Sequence, residues 1–458
     1  MAPEYTSAII IFAVAIVLML VCAVFFPVIN IKLGKVQFGL ETYFIFPFIA
    51  AIIVIAAKII DPVEAGKGLW EFSGLNPVGI LILFFSMVYI SKFLDTTGFF
   101  EFTAIYSLSK SGDSSKKLYF IIYAVVSILT IFTSNDVVIL TFTPFIHYFS
   151  KLAGISPIPF LFAEFFAANT WSMIFIISNP TNVVLGTAFK QSFSDFAKVM
   201  TPASIAGGLS NCFVLYLLFH DSINQRFNLK EDLGDPWARV KSKVDMYVSI
   251  AFTIIAIILL AVSSSPGFKI EMWMIAGIMA CVLLVYNIII DIINRKKPEK
   301  SKLRVIFASL PYPIIPFLLS LFVLVNTLKH KNFFIVIGNW IAPFTASSKP
   351  ASVIVFGLFS TIAANILNNI PMSVAFAPII QATTNPPNLG SVYAAVVGSN
   401  IGANLTPLGA LAGLMWLKIL KERDISIRFV DFLKVGLVVT PFCLAVTSAV
   451  VSGMSYAI

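Results

Sequence analysis

Residues 118–150 read LYFIIYAVVSILTIFTSNDVVILTFTPFIHYFS. Two apolar arms flank a polar centre, Ser134-Asn135-Asp136. A helix that crosses a membrane needs roughly 20 mostly apolar residues at about 1.5 Å each. Each arm here offers about 15 residues, roughly 22 Å as helix, too short to cross easily. The stretch therefore predicts a re-entrant hairpin, since irregular backbone at membrane depth is tolerated only where protein or a water-filled cavity covers it. Region 350–380 has the same form around Asn368-Asn369.

The two hairpins lie in register. A shift of 234 positions carries Asn135 onto Asn369, Pro77 onto Pro311, Ser86 onto Ser320, Phe99-Phe100 onto Phe333-Phe334 and Pro144 onto Pro378. Long apolar stretches run near 7–29, 42–60, 77–94, 157–189, 202–220, 245–264, 270–293, 311–328, 391–417 and 430–453. Each half thus holds five spans and one hairpin. Because five is odd, the second half enters the bilayer from the opposite side. The expectation is an all-α polytopic membrane protein of two inverted repeats, 1–220 and 245–458, joined by a charged cytoplasmic linker at 221–244.

Composition agrees. Of 458 residues 59% are hydrophobic and 12% charged, and the mean hydropathy is +0.94. Globular domains carry about 25% charged residues, so a soluble enzyme, a disordered chain and a nucleic-acid binder are excluded. The net charge of +9 reads as a cytoplasmic-loop excess of Lys and Arg. Loops near 30–41, 92–117, 151, 221–244, 294–310 and 418–434 hold most of it. The other face collects Lys58, Lys67, Lys190, Lys198, Lys269, Lys329, Lys331 and Lys349. The richer face is then cytoplasmic, both termini lie outside, and the plasma (inner) membrane is the expected location. Met1–Asn30 reads as a retained first span rather than a signal peptide. Cys22, Cys212, Cys281 and Cys443 are scattered in apolar runs, which supports neither disulfides nor a metal site. Two amphipathic stretches, 95–109 and 331–342, are candidates for interfacial arms that carry the hairpins.

Four polar interruptions carry the functional reading. Hairpin tips supply Ser134, Asn135, Asn368 and Asn369. The span 157–189 is broken at Ser178, Asn179, Pro180, Thr181 and Asn182, and the span 391–417 at Asn400, Gly402, Asn404, Thr406 and Pro407. Broken spans free amides and carbonyls at half-helix ends, where anions and cations respectively are held. A structural alternative is that these amides only cap broken helices. Asp136, Glu164 and Asn169 are candidates for ion coupling, because an acid within a span is a functional hypothesis by default. Asp136 could instead cap the second hairpin arm, and Glu164 sits near a helix start from which it would reach the interface.

FLDTTGFFEF (93–102), SNDVVILTFTP (134–144), SNPTN (178–182), NNIPM (368–372) and LTPLGALAGLMWL (405–417) resemble landmarks of the ion transporter superfamily. Their nearest likeness is to the arsenite/antimonite efflux permeases. The resemblance implies alternating access with moving hairpins, operation alone or with a cytoplasmic ATPase, and 221–245 as the place where such a partner docks. It departs at three positions: Asn169, Asn400 and Asn404 stand where those permeases carry aspartate, aspartate and lysine.

The leading functional expectation is therefore a secondary active transporter, a proton-coupled antiporter that exports a small inorganic species such as arsenite or antimonite. Neutral As(OH)3 suits an amide and hydroxyl site. The alternatives are Na+-coupled transport of a carboxylate or other small anion, Na+/H+ antiport, and a channel or ATPase-driven subunit. No lysine or arginine occurs at the four interruptions to pair with a di- or tricarboxylate. No cofactor is expected, the coupling ion being H+ or Na+. No enzyme motif appears, and the apolar faces would suit a homodimer as well as lipid.

Overall fold

The computed structural model describes residues 5–33, 36–72, 76–227, 234–263, 270–293, 301–345, 347–384 and 386–456. Its first half opens with α1 (Thr6–Phe25), a ribbon of β1 (Val28–Leu33) and β2 (Val36–Glu41), α2 (Ile45–Ala56) and α3 (Pro62–Gly68). Then come α4 (Pro77–Thr96), α5 (Phe99–Ser111), α6 (Ser115–Phe132), α7 (Asn135–Ala153), α8 (Ile158–Trp171), α9 (Pro180–Ala188), α10 (Phe193–Leu218) and the single turn α11 (His220–Ile223). The second half contains α12 (Lys243–Val262), α13 (Met272–Ile293), α14 (Lys302–Ala308), α15 (Ile314–His330) and α16 (Phe333–Thr345). It ends with α17 (Lys349–Leu367), α18 (Asn369–Thr383), α19 (Leu389–Ile401), α20 (Leu411–Glu422) and α21 (Phe429–Met454). The offset of 234 survives in the helices, since α5 and α16 start at Phe99 and Phe333, and α7 and α18 at Asn135 and Asn369.

Short polar side chains fix many of the helix starts. The Gly79 amide donates to Asn76 ahead of Pro77, Lys117 N to Ser114 Oγ, and Ala351 N to Ser348 Oγ. Eight described helices are long and apolar enough to cross a membrane: α1, α4, α6, α10, α12, α13, α17 and α21. The hairpin arms thus differ from expectation. With 18 residues in α6 and 19 in α17, these arms reach about 27–29 Å, and their serine caps draw Ser115–Lys117 and Lys349 into the helix. The span expected over 42–60 contracts to the 12-residue α2, and the one over 311–328 becomes α15, bent by 75° into α16. Loop 30–41 also departs from expectation, forming an antiparallel ribbon that pairs Val28 with Glu41 and Leu33 with Val36.

Packing interleaves the halves. α4 lies against α12, α13 and α14, whereas α15 lies against α1, α2 and α3. Two side chains mark the exchange: Asn287 Nδ2 donates to Tyr89 OH at 2.9 Å, and Asn326 Nδ2 to the Glu64 carbonyl at 3.1 Å. The last long helices, α10 and α21, pack on one another. α8, α9, α18 and α19 are buried almost throughout. By contrast α1, α12 and α13 present exposed Ile10, Val17, Ile254, Ile278 and Val285, a lipid-facing mantle around a polar-centred core.

The tightest helix contact joins hairpin arm α17 to α19. A Cβ on Gly398 would fall 1.8 Å from Ser360 Oγ and 2.8 Å from the Gly357 carbonyl, so only glycine permits this approach. Gly398→Val should push α19 off α17 and lower the apparent melting temperature of the detergent-purified protein by about 3 °C or more. Scanning fluorimetry checks this, with Gly453→Ala, where a Cβ meets nothing within 4 Å, as the neutral comparison.

Candidate functional site

The two broken spans meet at their breaks. α8 stops at Trp171, and Ser172 Oγ reaches back to the Asn169 carbonyl at 2.9 Å. Chain 172–179 is irregular until Asn179 and Pro180 restart the helix as α9, with the Thr181 amide donating to Asn179 Oδ1 at 3.1 Å. Across from it α19 gives way to tight turns at Gly402–Asn404 and Pro407–Gly409. α21 lies directly on that break: a Cβ on Gly436 would sit 2.4 Å from the Leu405 carbonyl and 2.6 Å from that of Asn404.

A continuous chain of side-chain amides joins the breaks to the first hairpin tip. Asn135 Nδ2 donates to Asn169 Oδ1 (3.3 Å), Asn169 Nδ2 to Asn404 Oδ1 (3.1 Å), and Asn404 Nδ2 to Thr170 Oγ1 (3.3 Å). Beside it, Asn179 Nδ2 donates to Asn400 Oδ1 (2.8 Å) and Asn400 Nδ2 to Asn182 Oδ1 (2.8 Å). Ser172 Oγ stands 3.1 Å from Asn400 Oδ1, and Ser399 Oγ 3.2 Å from Thr181 Oγ1. Asn182 Nδ2 satisfies the carbonyls of Ser172 and Phe175 that the broken helix leaves bare. Ser178 Oγ bonds the Ile131 carbonyl and so ties the first break to hairpin arm α6. Two oxygens at the tip, Ser134 Oγ and Asn135 Oδ1, are buried without a hydrogen-bond partner.

The second tip is built differently. Asn368 holds φ +75° and ψ 153°, a region that almost only glycine occupies without strain. Two bonds retain it there: Nδ2 to the Leu408 carbonyl (3.1 Å) and Oδ1 from the Ile370 amide (3.4 Å). Thr406 Oγ1 donates to Asn365 Oδ1 at 2.6 Å, and Asn365 Nδ2 to the Gly402 carbonyl at 2.8 Å. Asn369 is buried, its carbonyl accepting from Ser373 Oγ. Thus Asn368 and Thr406 belong to a second cluster on the far side of break two.

Around the first tip opens a cleft of about 510 Å³ lined by Ser134 and Asp136, by Glu41, by Lys92 of α4, by 308–313 and by Lys418 and Glu422 of α20. Asp136 makes no hydrogen bond or ion pair with the described residues, so it does not cap α7 through its side chain. Lys92 and Lys418, counted above as loop cations, line this cleft instead, and Lys92 is buried. Glu164 corrects a further expectation. It is fully buried in α8 and reaches no interface, with Thr143 Oγ1 at 2.9 and 3.1 Å from its two oxygens. It stands apart from the amide chain, one residue before Phe165, which packs on Trp416 with centroids 5.0 Å apart. Four further members escape the sequence reading: Thr170, Ser172, Asn211, which donates to Thr170 Oγ1 at 2.9 Å, and Asn365. A polar residue on the same helical turn as a named asparagine is the signal that could have found the first two.

The model of the arsenical pump membrane protein family matches residues 13–453. An arsenical pump membrane protein of Escherichia coli is 26% identical over 373 residues, covering 80% of this chain and 84% of the relative. A putative arsenical pump membrane protein of Bacillus subtilis strain 168 is 24% identical over 395 residues, covering 82% and 87%. Among solved structures the chain is similar to MtrF of Neisseria gonorrhoeae, described with a class of antimetabolite efflux pumps. The TM-score is 0.57 at 14% identity, over 99% of this chain and 95% of that one. The YdaH transporter of Alcanivorax borkumensis matches with TM-score 0.57 at 13% identity, over 98% of both chains. At such identities the structural likeness speaks for the fold alone.

Removing Asn169 would leave Asn135 Nδ2 and Asn404 Oδ1 without their partner, whereas Asn369 holds no side-chain partner among the described residues. Asn169→Ala should lower the melting temperature by about 3 °C or more, and Asn369→Ala by about 1 °C or less. Equal losses, read by scanning fluorimetry, would show that the amide chain is not a stabilising unit.

Proposed function

Because the chain belongs to the arsenical pump membrane protein family, we propose that it is a secondary active transporter that exports arsenite or antimonite in exchange for protons. The two halves are inverted repeats of alternating access, set in the plasma membrane with both termini outside. The substrate-binding residues are Ser134 and Asn135 at tip one, Asn368 and Asn369 at tip two, and Ser178, Asn179, Thr181, Asn182, Asn400, Asn404 and Thr406 at the breaks. Asp136 couples the ion, while Glu164 and Asn169 stand behind it.

The observation that carries this reading is the pair of unpartnered buried oxygens at tip one, Ser134 Oγ and Asn135 Oδ1, beside the cleft. An amide oxygen only accepts, so it calls for a donor. Neutral As(OH)3 brings three O–H donors and no charge to desolvate. Behind the tip, Asn169, Asn404, Asn179, Asn400 and Asn182 are already bonded to one another in pairs. On the Lys/Arg rule the cleft opens to the cytoplasm. The opposite approach, over tip two, is packed with Phe72 against Phe322 and Asn326 bonded to the Glu64 carbonyl. That supports an inward-open state in which cargo loads from the cytoplasm.

One observation favours the anion reading. The fold brings Lys92 and Lys418 to the cleft, although neither lies at an interruption in sequence. Asp136, Glu41 and Glu422 face the same space, and this balance of signs suits a neutral polar cargo better than a carboxylate.

Inside-out vesicles should accumulate arsenite when a proton gradient is imposed, compete it with antimonite, and lose on the order of tenfold or more of the rate in Asn135→Ala. Uptake driven by Na+, with a carboxylate in place of arsenite, would replace this reading by the anion one.

A further inference from the structure

Lys92 is a buried cation on a span, which is rare and costly without a carboxylate partner. Its side chain is 11% exposed, and Nζ stands 3.6 Å from Asp95 Oδ2 on its own helix, at the outer edge of an ion pair. Asp95 is shared as well, with Thr141 Oγ1 of hairpin arm α7 at 3.4 Å from Oδ1. On the other side Lys92 lines the cleft together with Asp136, the first-turn acid of α7, whose side chain makes no hydrogen bond among the described residues. Glu41 lines the same space as Lys92 and Asp136. One lysine on α4 therefore stands between a carboxylate on α4 and a carboxylate on the hairpin.

The second half lacks the device. At the shift of 234, Lys92 becomes Asn326, Asp95 becomes Lys329 and Asp136 becomes Ile370. Asn326 spends its amide on the Glu64 carbonyl, a contact with α3 rather than with a hairpin. The second half therefore keeps a cation, Lys329, but has no acid at the position matching Asp136.

We propose that Lys92 is the positioning residue of the coupling step, a resident cation exchanged between Asp95 and Asp136 as the coupling ion leaves and binds Asp136. The inference rests on the transporter reading above and deepens it. When Asp136 is unoccupied, the Lys92 ammonium turns to it and holds α7 against α4. A proton from the cleft water, or a Na+, takes its place, and Lys92 withdraws to Asp95 and loosens that contact. Lys92 remains an ammonium throughout, so the only proton that moves is the one exchanged between Asp136 and cleft water. The other titratable groups that line this space are Glu41 at the end of β2, Tyr312 at the entrance to α15, and Lys418 and Glu422 of α20. Of the described cations in this space Lys92 is buried and Lys418 is exposed.

Two measurements on the full-length protein test this. The first is a thermal double-mutant cycle in detergent with Lys92→Met, Asp136→Asn and Asp95→Asn. Coupling of Lys92 with Asp136 should make the pair non-additive by about 2 °C or more, and additivity within error overturns the proposal. The second is arsenite uptake in proteoliposomes across pH. Lys92→Met should lose on the order of tenfold in rate, with Lys92→Arg near wild type. Adding Asp136→Asn should restore part of that rate with the pH dependence gone, whereas adding Asp95→Asn should not. Rescue by Asp95→Asn alone would reduce Lys92 to a local ion pair of α4 and overturn the proposal. Absence of arsenite transport in the wild type would sink the cargo assignment, while the thermal cycle still decides the role of Lys92.

Discussion

A broken helix inside a membrane leaves backbone groups that lipid cannot satisfy, and each orphan costs several kcal/mol in hydrocarbon. This constraint shapes the centre of the molecule. The freed backbone is met by nearby amides, and the two breaks then bond one another side chain to side chain. Asn182 closes carbonyls of its own break, and Asn400 binds Asn179 and Asn182 across the gap. Asn169 then reaches Asn404 on one side and Asn135 of the hairpin on the other. The hairpin tip, the first break and the second break are one hydrogen-bonded body built from uncharged groups. This body has only amides and hydroxyls, and the charges lie at its edge, at Asp136 and Lys92.

That arrangement separates two tasks. The inner network bonds most of its amides to one another, which suits it to holding a defined shape. The cleft carries carboxylates and lysines whose partners are few and changeable. The two tips divide along the same line. Tip one has relaxed backbone and unpartnered oxygens, whereas tip two has strained backbone at Asn368 fastened by Leu408 and Ile370. Sequence equivalence at the shift of 234 therefore coexists with unequal chemistry.

Much of this was legible in the sequence for a definite reason. Asn, Pro and Gly within an apolar run have no cheap explanation in lipid, so the tips and breaks stood out, and the shift of 234 set Asn135 against Asn369. Thr170, Ser172 and Asn211 did not, because a single polar residue in a span resembles any hydroxyl bonded back to its own helix. Lys92 was misread as a loop cation, since it lies close to the end of an apolar stretch and linear distance hides the cleft that α20 and 308–313 build around it. The ribbon at Val28–Glu41 was hidden for another reason. Two six-residue strands between spans look like a connecting loop until their pairing is seen. The length of α6 and α17 depended on caps at Ser114 and Ser348, which a hydropathy count ignores.

The crosswise packing of α4 on α13 and of α15 on α2 has a consequence for how the chain is made. Translation delivers α4 long before α13, so the nascent first half must wait with a flank of α4 covered only by lipid or by the insertion machinery. That half cannot close its core as a finished unit while the second is still on the ribosome. Assembly is committed only when residues near 290 have left the exit tunnel, and the buried lysine of α4 is settled no earlier than that. A chain of this design is inserted in sequence and folded in retrospect.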